Sequence, residues 1–230
     1  MGVKIVIPTD VATAAELSAD VDAVRTWLDS KPDGGRACIN DYDEYGCTLL
    51  ISCVMHTNHP DRRVALARLL LERGADVNRC AADVHNDHMG QASPLHCAIH
   101  YAFLGNSQML PLLLAAGGSV KARTSGGGSH YIETPLGRLL RTGRSLGSVN
   151  GPIRNFPGMV AALLRAGSEL DDICVYAVSG ASYMSAETLL RQFKQFIRSI
   201  PGANPTVIAG ANEKCMEVEK MIAGVRAAGS

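Results

Sequence analysis

From Val64 to Leu71 apolar residues recur at three- and four-residue spacing, with Arg68, Glu72 and Arg73 on the other side, and the run stops at Gly74. That period predicts an amphipathic helix with one buried stripe. Glycine suits its end, because the residue past a helix C-terminus adopts a left-handed conformation in which a Cβ would clash. The same phrase returns at Leu110–Ala122 (LPLLLAAGGSVKA) and at Met159–Asp172 (MVAALLRAGSELDD). A helix closing on leucines, a small residue, glycine and a hydrophilic exit is therefore a repeating unit. One such unit cannot hide its apolar face alone, so copies must stack.

Start signals place a shorter helix before each long one. Ser93-Pro94 and Thr134-Pro135 combine an N-capping hydroxyl with proline at the first helical position, where a missing N–H costs nothing. Val3–Ile7 is a β-prone run stopped by Pro8. Thr9 or Asp10 is expected to cap a helix reaching about Ser18, and Asp20 a second, with Val21, Val24, Trp27 and Leu28 inward and Lys31–Gly35 as its end. The lone tryptophan is read as a plug for that end of the core. Beyond Asp172 the pattern weakens. Ile173–Ser179 and Ser185–Ile200 are expected to form a last helix pair, Pro201–Pro205 a break, and Asn212–Ala228 a helix whose Met216, Val218, Met221, Ile222 and Val225 cover the open end.

Specific residues carry a family resemblance. Ile39-Asn40, Asp43, Gly46 and Thr48-Leu49-Leu50-Ile51 resemble the Val-Asn exit, loop aspartate, glycine and Thr-Pro-Leu-His opening of an ankyrin repeat. Val64–Asn78 is similar to that family's second helix with its Gly-Ala-Asp-Val-Asn end. Ser93-Pro94-Leu95-His96-Cys97-Ala98 is a nearly intact next copy, and Thr134-Pro135-Leu136-Gly137 another with glycine in place of histidine. The resemblance is good over 39–170. Spacing departs from it: Leu50, Leu95 and Leu136 are 45 and 41 residues apart, against a family period of about 33. The excess falls in Arg79–Ala92 and Arg123–Glu133, where hairpin fingers belong, and in Arg141–Phe156, between two helices.

The resemblance implies an all-α, ankyrin-like helical solenoid of about four to five stacked helix pairs with protruding hairpin loops and a divergent C-terminal helical cap. Residues 1–172 would form the stack with its N-terminal cap, and 173–230 a cap on the same solenoid. It also implies a non-enzymatic scaffold that binds another protein through its fingers and concave helix face. The partner-binding candidates are Tyr42, Glu44 and Tyr45 on the first finger, Arg79, Asp83, His85, Asn86, Asp87 and His88 on the second, and Arg123, His130 and Tyr131 on the third. Tyrosines give large contact area at low entropy cost; the alternative is that one packs onto the neighbouring finger.

Charge and composition narrow the classes. The 22 basic and 22 acidic side chains cancel, so no global field favours nucleic acid or an anionic membrane. No run approaches the roughly 20 apolar residues of a membrane span, and the opening MGVKIVIP lacks the core of a signal peptide. The seven cysteines are odd in number and form no CxxC, which predicts reduced thiols in an intracellular protein, cytoplasmic or nuclear. A monomer is expected.

The remaining motifs each have a plain reading. Cys80, His85 and His88, with His96 or Cys97, could be read as a metal site, the alternative function being a metal-stabilised repeat protein. Their spacing fits no zinc motif, however, and the resemblance gives His96 structural hydrogen bonds. Gly126–Gly128 has no following lysine or strand before it, so a finger tip is preferred to a phosphate loop. Arg138, Arg141 and Arg144 are read as a solvated helix end rather than an acidic-partner site. Cys53 and Cys97 sit at small core positions. No catalytic constellation is found, and no metal or cofactor is expected.

Overall fold

Hydroxyl caps open the helices that the pattern marks. In the computed structural model, which describes residues 6–82, 91–102, 108–124, 131–145, 155–176, 182–199 and 205–229, Thr48 Oγ1 accepts from the Ile51 amide at 3.3 Å, Thr134 Oγ1 from Gly137 at 3.2 Å and Ser185 Oγ from Thr188 at 3.3 Å. Asp20 Oδ1 takes the amides of Asp22 and Ala23. Each fills amides that a first turn leaves unpaired. Glycine closes the long helices: Gly74, Gly117 and Gly167 have φ of 96°, 89° and 88°.

The described chain divides into two compact units, residues 1–119 with 124–130, and 120–123 with 131–230. The first holds α1 (Thr9–Thr13), which continues as a π-helical turn (Ala14–Ser18), then α2 (Val21–Asp29), α3 (Leu49–Val54), α4 (Pro60–Glu72), α5 (Pro94–Ala102) and α6 (Met109–Ala115). First helices pack on first helices (the π turn on α3, α3 on α5), second on second (α2 on α4, α4 on α6), and each pair packs internally. This is the stacking that the repeated phrase predicts. Leu28, Leu50, Leu66, Leu70, Leu95 and Leu113 form its core.

An asparagine ladder joins successive exits. Asn40 accepts from the Asp76 amide at 2.7 Å and donates to the Gly74 carbonyl at 3.2 Å. One repeat later Asn78 does the same to Ser119 and Gly117, at 2.7 and 3.2 Å. At the next exit lysine stands instead, and Lys121 Nζ meets Glu169 at 2.8 Å as an exposed ion pair.

The second unit holds α7 (Pro135–Ser145), α8 (Phe156–Arg165), α9 (Ala186–Ser199) and α10 (Pro205–Gly229), again with α7 on α9 and α8 on α10. It also carries a small antiparallel sheet in the order β1 (Tyr131–Glu133), β2 (Cys174–Tyr176), β3 (Ser182–Met184), with Ile132 opposite Val175 and Val175 opposite Tyr183. The expected helix at Ile173–Ser179 is therefore a strand where described, because its backbone pairs with a finger strand on each side.

Other local expectations are corrected. Pro8 precedes α1 and neither Thr9 nor Asp10 caps it; both lie inside its first turn. Trp27 is half-buried with Lys31 Nζ 5.0 Å from its ring, so it is an amphipathic edge and not a core plug. In α10 the buried stripe is Ala211, Cys215, Val218 and Ile222, while Met216 and Val225 are 50% and 40% exposed.

Candidate functional site

The first finger is built around a buried carboxylate. Asp43 is 3% exposed; its Oδ1 accepts from the amides of Tyr45 at 2.9 Å and Cys47 at 2.8 Å, and its Oδ2 from Ser52 Oγ at 3.3 Å. Burial pushes this carboxyl above the usual range, and the Cys47 and Tyr45 amides only partly offset it. Gly46, at φ 75°, allows the turn to return beneath Ala82, whose carbonyl would lie 2.9 Å from any Cβ there. The Ala82 amide donates to Gly46 O at 2.8 Å. The aspartate, a glycine without alternative and a cross-finger bond thus set the turn rigidly.

The two tyrosines separate in role. Tyr42 Oη donates to the Cys80 carbonyl at 3.0 Å and its ring lies 4.9 Å beneath the exposed Arg79 guanidinium. It packs onto the neighbouring finger, the alternative the sequence leaves open. Tyr45 is 56% exposed beside exposed Glu44.

On the third finger, exposed Arg123 donates from Nη2 to the Asp172 carbonyl at 2.5 Å. Tyr131 is half-buried with the Arg141 guanidinium 4.5 Å from its ring. Asp83, His85, Asn86, Asp87, His88 and His130 lie outside the described residues.

The metal reading finds its described members otherwise engaged. His96 is fully buried with Nδ1 2.8 Å from Ser93 Oγ, and Cys97 is buried. Cys80 is half-buried, its thiol raised by burial and by Asp76. All seven cysteines are free thiols. Burial pushes Cys53 up to about 12, with its Sγ 3.2 Å from the Arg63 carbonyl, as a core position requires.

Arg138 and Arg141 of α7 are not a solvated helix end, and the Arg144 side chain lies outside the described residues. Glu133 and Arg138 are buried, and Glu133 accepts from Arg138 Nε at 2.9 Å and from Arg141 Nε and Nη2 at 2.6 and 2.7 Å. Burial alone would raise the Glu133 carboxyl; the Arg141 hydrogen bonds and both guanidinium charges outweigh it and hold the group below its usual value. Two cations and one anion locked together make a structural clamp.

Two features escaped the sequence reading. Arg63 on α4 is fully buried, donating to the carbonyls of Cys53 (2.8 Å), Asn58 (2.7 Å), Glu16 (2.6 Å) and Ala15 (3.4 Å), and to Asn58 Oδ1. Burial lowers its pKa. Its helical phase gave a hint, since it precedes Leu66, Ala67 and Leu70 on the apolar stripe. Just past α3, His56 Nε2 lies 3.0 Å from Glu16 of the π turn, and its ring stacks on Tyr101 of α5 at 6.2 Å. His100 meets Tyr101 edge-on at 5.0 Å. His56 and Tyr101 are separated by 45 residues, like Leu50 and Leu95. Equivalent repeat positions lie side by side, and that equivalence was the available signal.

Among the described residues no helix is long and apolar enough to cross a membrane. The ankyrin repeat family model matches residues 45–82, the span of α3, α4 and the start of the next finger. No curated protein matches the chain significantly. A solved structure of the Bd0816 predatory endopeptidase from Bdellovibrio bacteriovorus in complex with immunity protein Bd3460 aligns at TM-score 0.47 and 16% identity, covering 90% of this chain and 98% of that one. The Legionella effector AnkH aligns at TM-score 0.47 and 18% identity over 86% of this chain, which spans only 40% of that protein. The matched segment, bounded by the Asn40 and Asn78 exits and followed by an intact Ser93–His96 cap, is an ankyrin repeat.

Proposed function

We propose that this protein is a non-enzymatic, monomeric scaffold that binds another protein through the first finger and the adjoining exposed face of the first helices. The observation that carries the reading is Tyr45, a large aromatic 56% exposed on a turn held by three hydrogen bonds to Asp43. A rigid exposed aromatic loses little entropy on association, and such residues anchor protein interfaces. Glu44 beside it, the partly exposed Glu16 and Tyr101 on the first helices, and His56 just past α3 supply the polar surround. Seven free thiols suit a reducing compartment. Affinity capture from an extract with the wild type and with Glu44→Ala/Tyr45→Ala tests the reading. Specific co-purifying proteins are expected to fall about tenfold with the melting temperature unchanged. An identical set in identical amounts from both proteins removes this surface from the function.

A further inference from the structure

The last two helices leave a groove that the finger does not involve. A cavity of about 840 Å³ runs between α9 and α10. On α9 its walls recur at Glu187, Leu190, Lys194 and Arg198; on α10 they recur at Glu219, Ile222 and Arg226, again at three- and four-residue steps. Two facing stripes at that spacing are the acceptor that a third helix fills in a bundle. From Glu187 to Arg198 the α9 wall is about 16 Å long, three helical turns.

The floor and rim specify the chemistry. Leu190 and Ile222 close the bottom at 1% and 2% exposure, and exposed Ala223 and Ala227 keep the α10 wall low enough for close approach. Both groove acids are already engaged across the two helices, Glu219 with Lys194 at 2.7 Å and Glu187 with Arg226 at 3.0 Å. Those ties bridge the two walls, one toward each end of the groove. Arg191 and Arg198 are exposed and have no carboxylate partner among the described residues. They stand seven residues apart on one face of α9, about 10 Å, leaving two uncompensated cations along the edge.

We propose that this groove receives an amphipathic helix of another protein, its apolar stripe on exposed Ala223 and Ala227 and the aliphatic stems of Lys194 and Gln195 that roof the buried floor, and two acidic residues, seven positions apart, on Arg191 and Arg198. The interface is separate from the finger surface, so either can fail without the other.

The test is selection of a displayed library of fourteen-residue helical peptides on the full-length protein. The library has a fixed leucine stripe and randomised remaining positions, with fluorescence polarisation of the enriched peptides. Enriched peptides are expected to carry Asp or Glu pairs at seven-residue spacing, to weaken with added salt, and to lose about tenfold or more on Arg191→Glu/Arg198→Glu. Both arginines are exposed, so that variant should melt like the wild type, and peptides with lysine at the paired positions should bind it better than they bind the wild type. No enrichment, enrichment without acidic pairs, or binding indifferent to the charge reversal overturns the proposal. So does displacement of the peptides' place by self-association, read as a dimer in sedimentation that the same reversal abolishes.

Discussion

Single residues hold this fold at points where a polar group is forced inside. Arg63 makes no ion pair among the described residues; it satisfies the carbonyls of Ala15, Glu16, Cys53 and Asn58 where the π turn, the end of α3 and the start of α4 converge. Methionine matches its length but offers no donors, so Arg63→Met should cost about 2–4 kcal/mol in urea unfolding through unpaired buried carbonyls. Glu133 gives a pH signature. Its folded-state pKa lies below the ordinary 4.5, so its contribution is complete above that value and is lost as pH falls through the lowered folded value. Asp43 has the opposite sign. Its raised pKa favours the fold below the ordinary 3.8 and loses that contribution as pH rises through the folded value. The two contributions oppose one another on the acid side, so the variant isolates Glu133: Glu133→Gln should be less stable than the wild type at pH 6, by about 3 kcal/mol, with a flatter acid limb below the ordinary 4.5. An unchanged limb would remove Glu133 from the acid response.

At the level of elements, the opening tetrapeptide shows what periodicity resolves and what it leaves hidden. Ser93 and Thr134 were legible as caps, because capping needs only local chemistry. The glycine at 137, where the pattern has histidine, was visible but unexplained until β2 was placed. The Ile173 carbonyl accepts from the Thr134 amide at 2.9 Å and would lie 2.1 Å from a Cβ on residue 137. Strand β2 thus occupies the room a side chain would need, and Gly137→Ala should lower stability by about 3 kcal/mol, read as a drop in melting temperature. That strand has one near partner, β3, within ten residues, and one far partner, β1, about 40 residues back. The far pairing leaves no local trace, while the β-branched and aromatic run Ile173, Val175 and Tyr176 was the local signal that the repeat pattern overrode. Likewise, the arginine run of α7 reads as a basic face until Glu133, on another element, is seen to be sealed between two of them.

Across the whole molecule, five helix pairs among the described residues repeat one packing rule, first helix on first and second on second within each unit. This was legible because the leucine stripe and terminal glycine recur three times, and a stripe without a neighbour would face water. The site was legible only in part. Sequence placed Tyr42 and Tyr45 together as finger residues, whereas hydrogen bonding to Cys80 turns one inward and leaves the other free. Whether Tyr45 meets another protein is tested most directly by photocrosslinking in extract, with benzoylphenylalanine at position 45 and, as a control, at exposed Arg68 on α4. The account predicts a discrete crosslinked protein from position 45 and none from 68. Equal crosslinking at both positions, or none at 45, would contradict it.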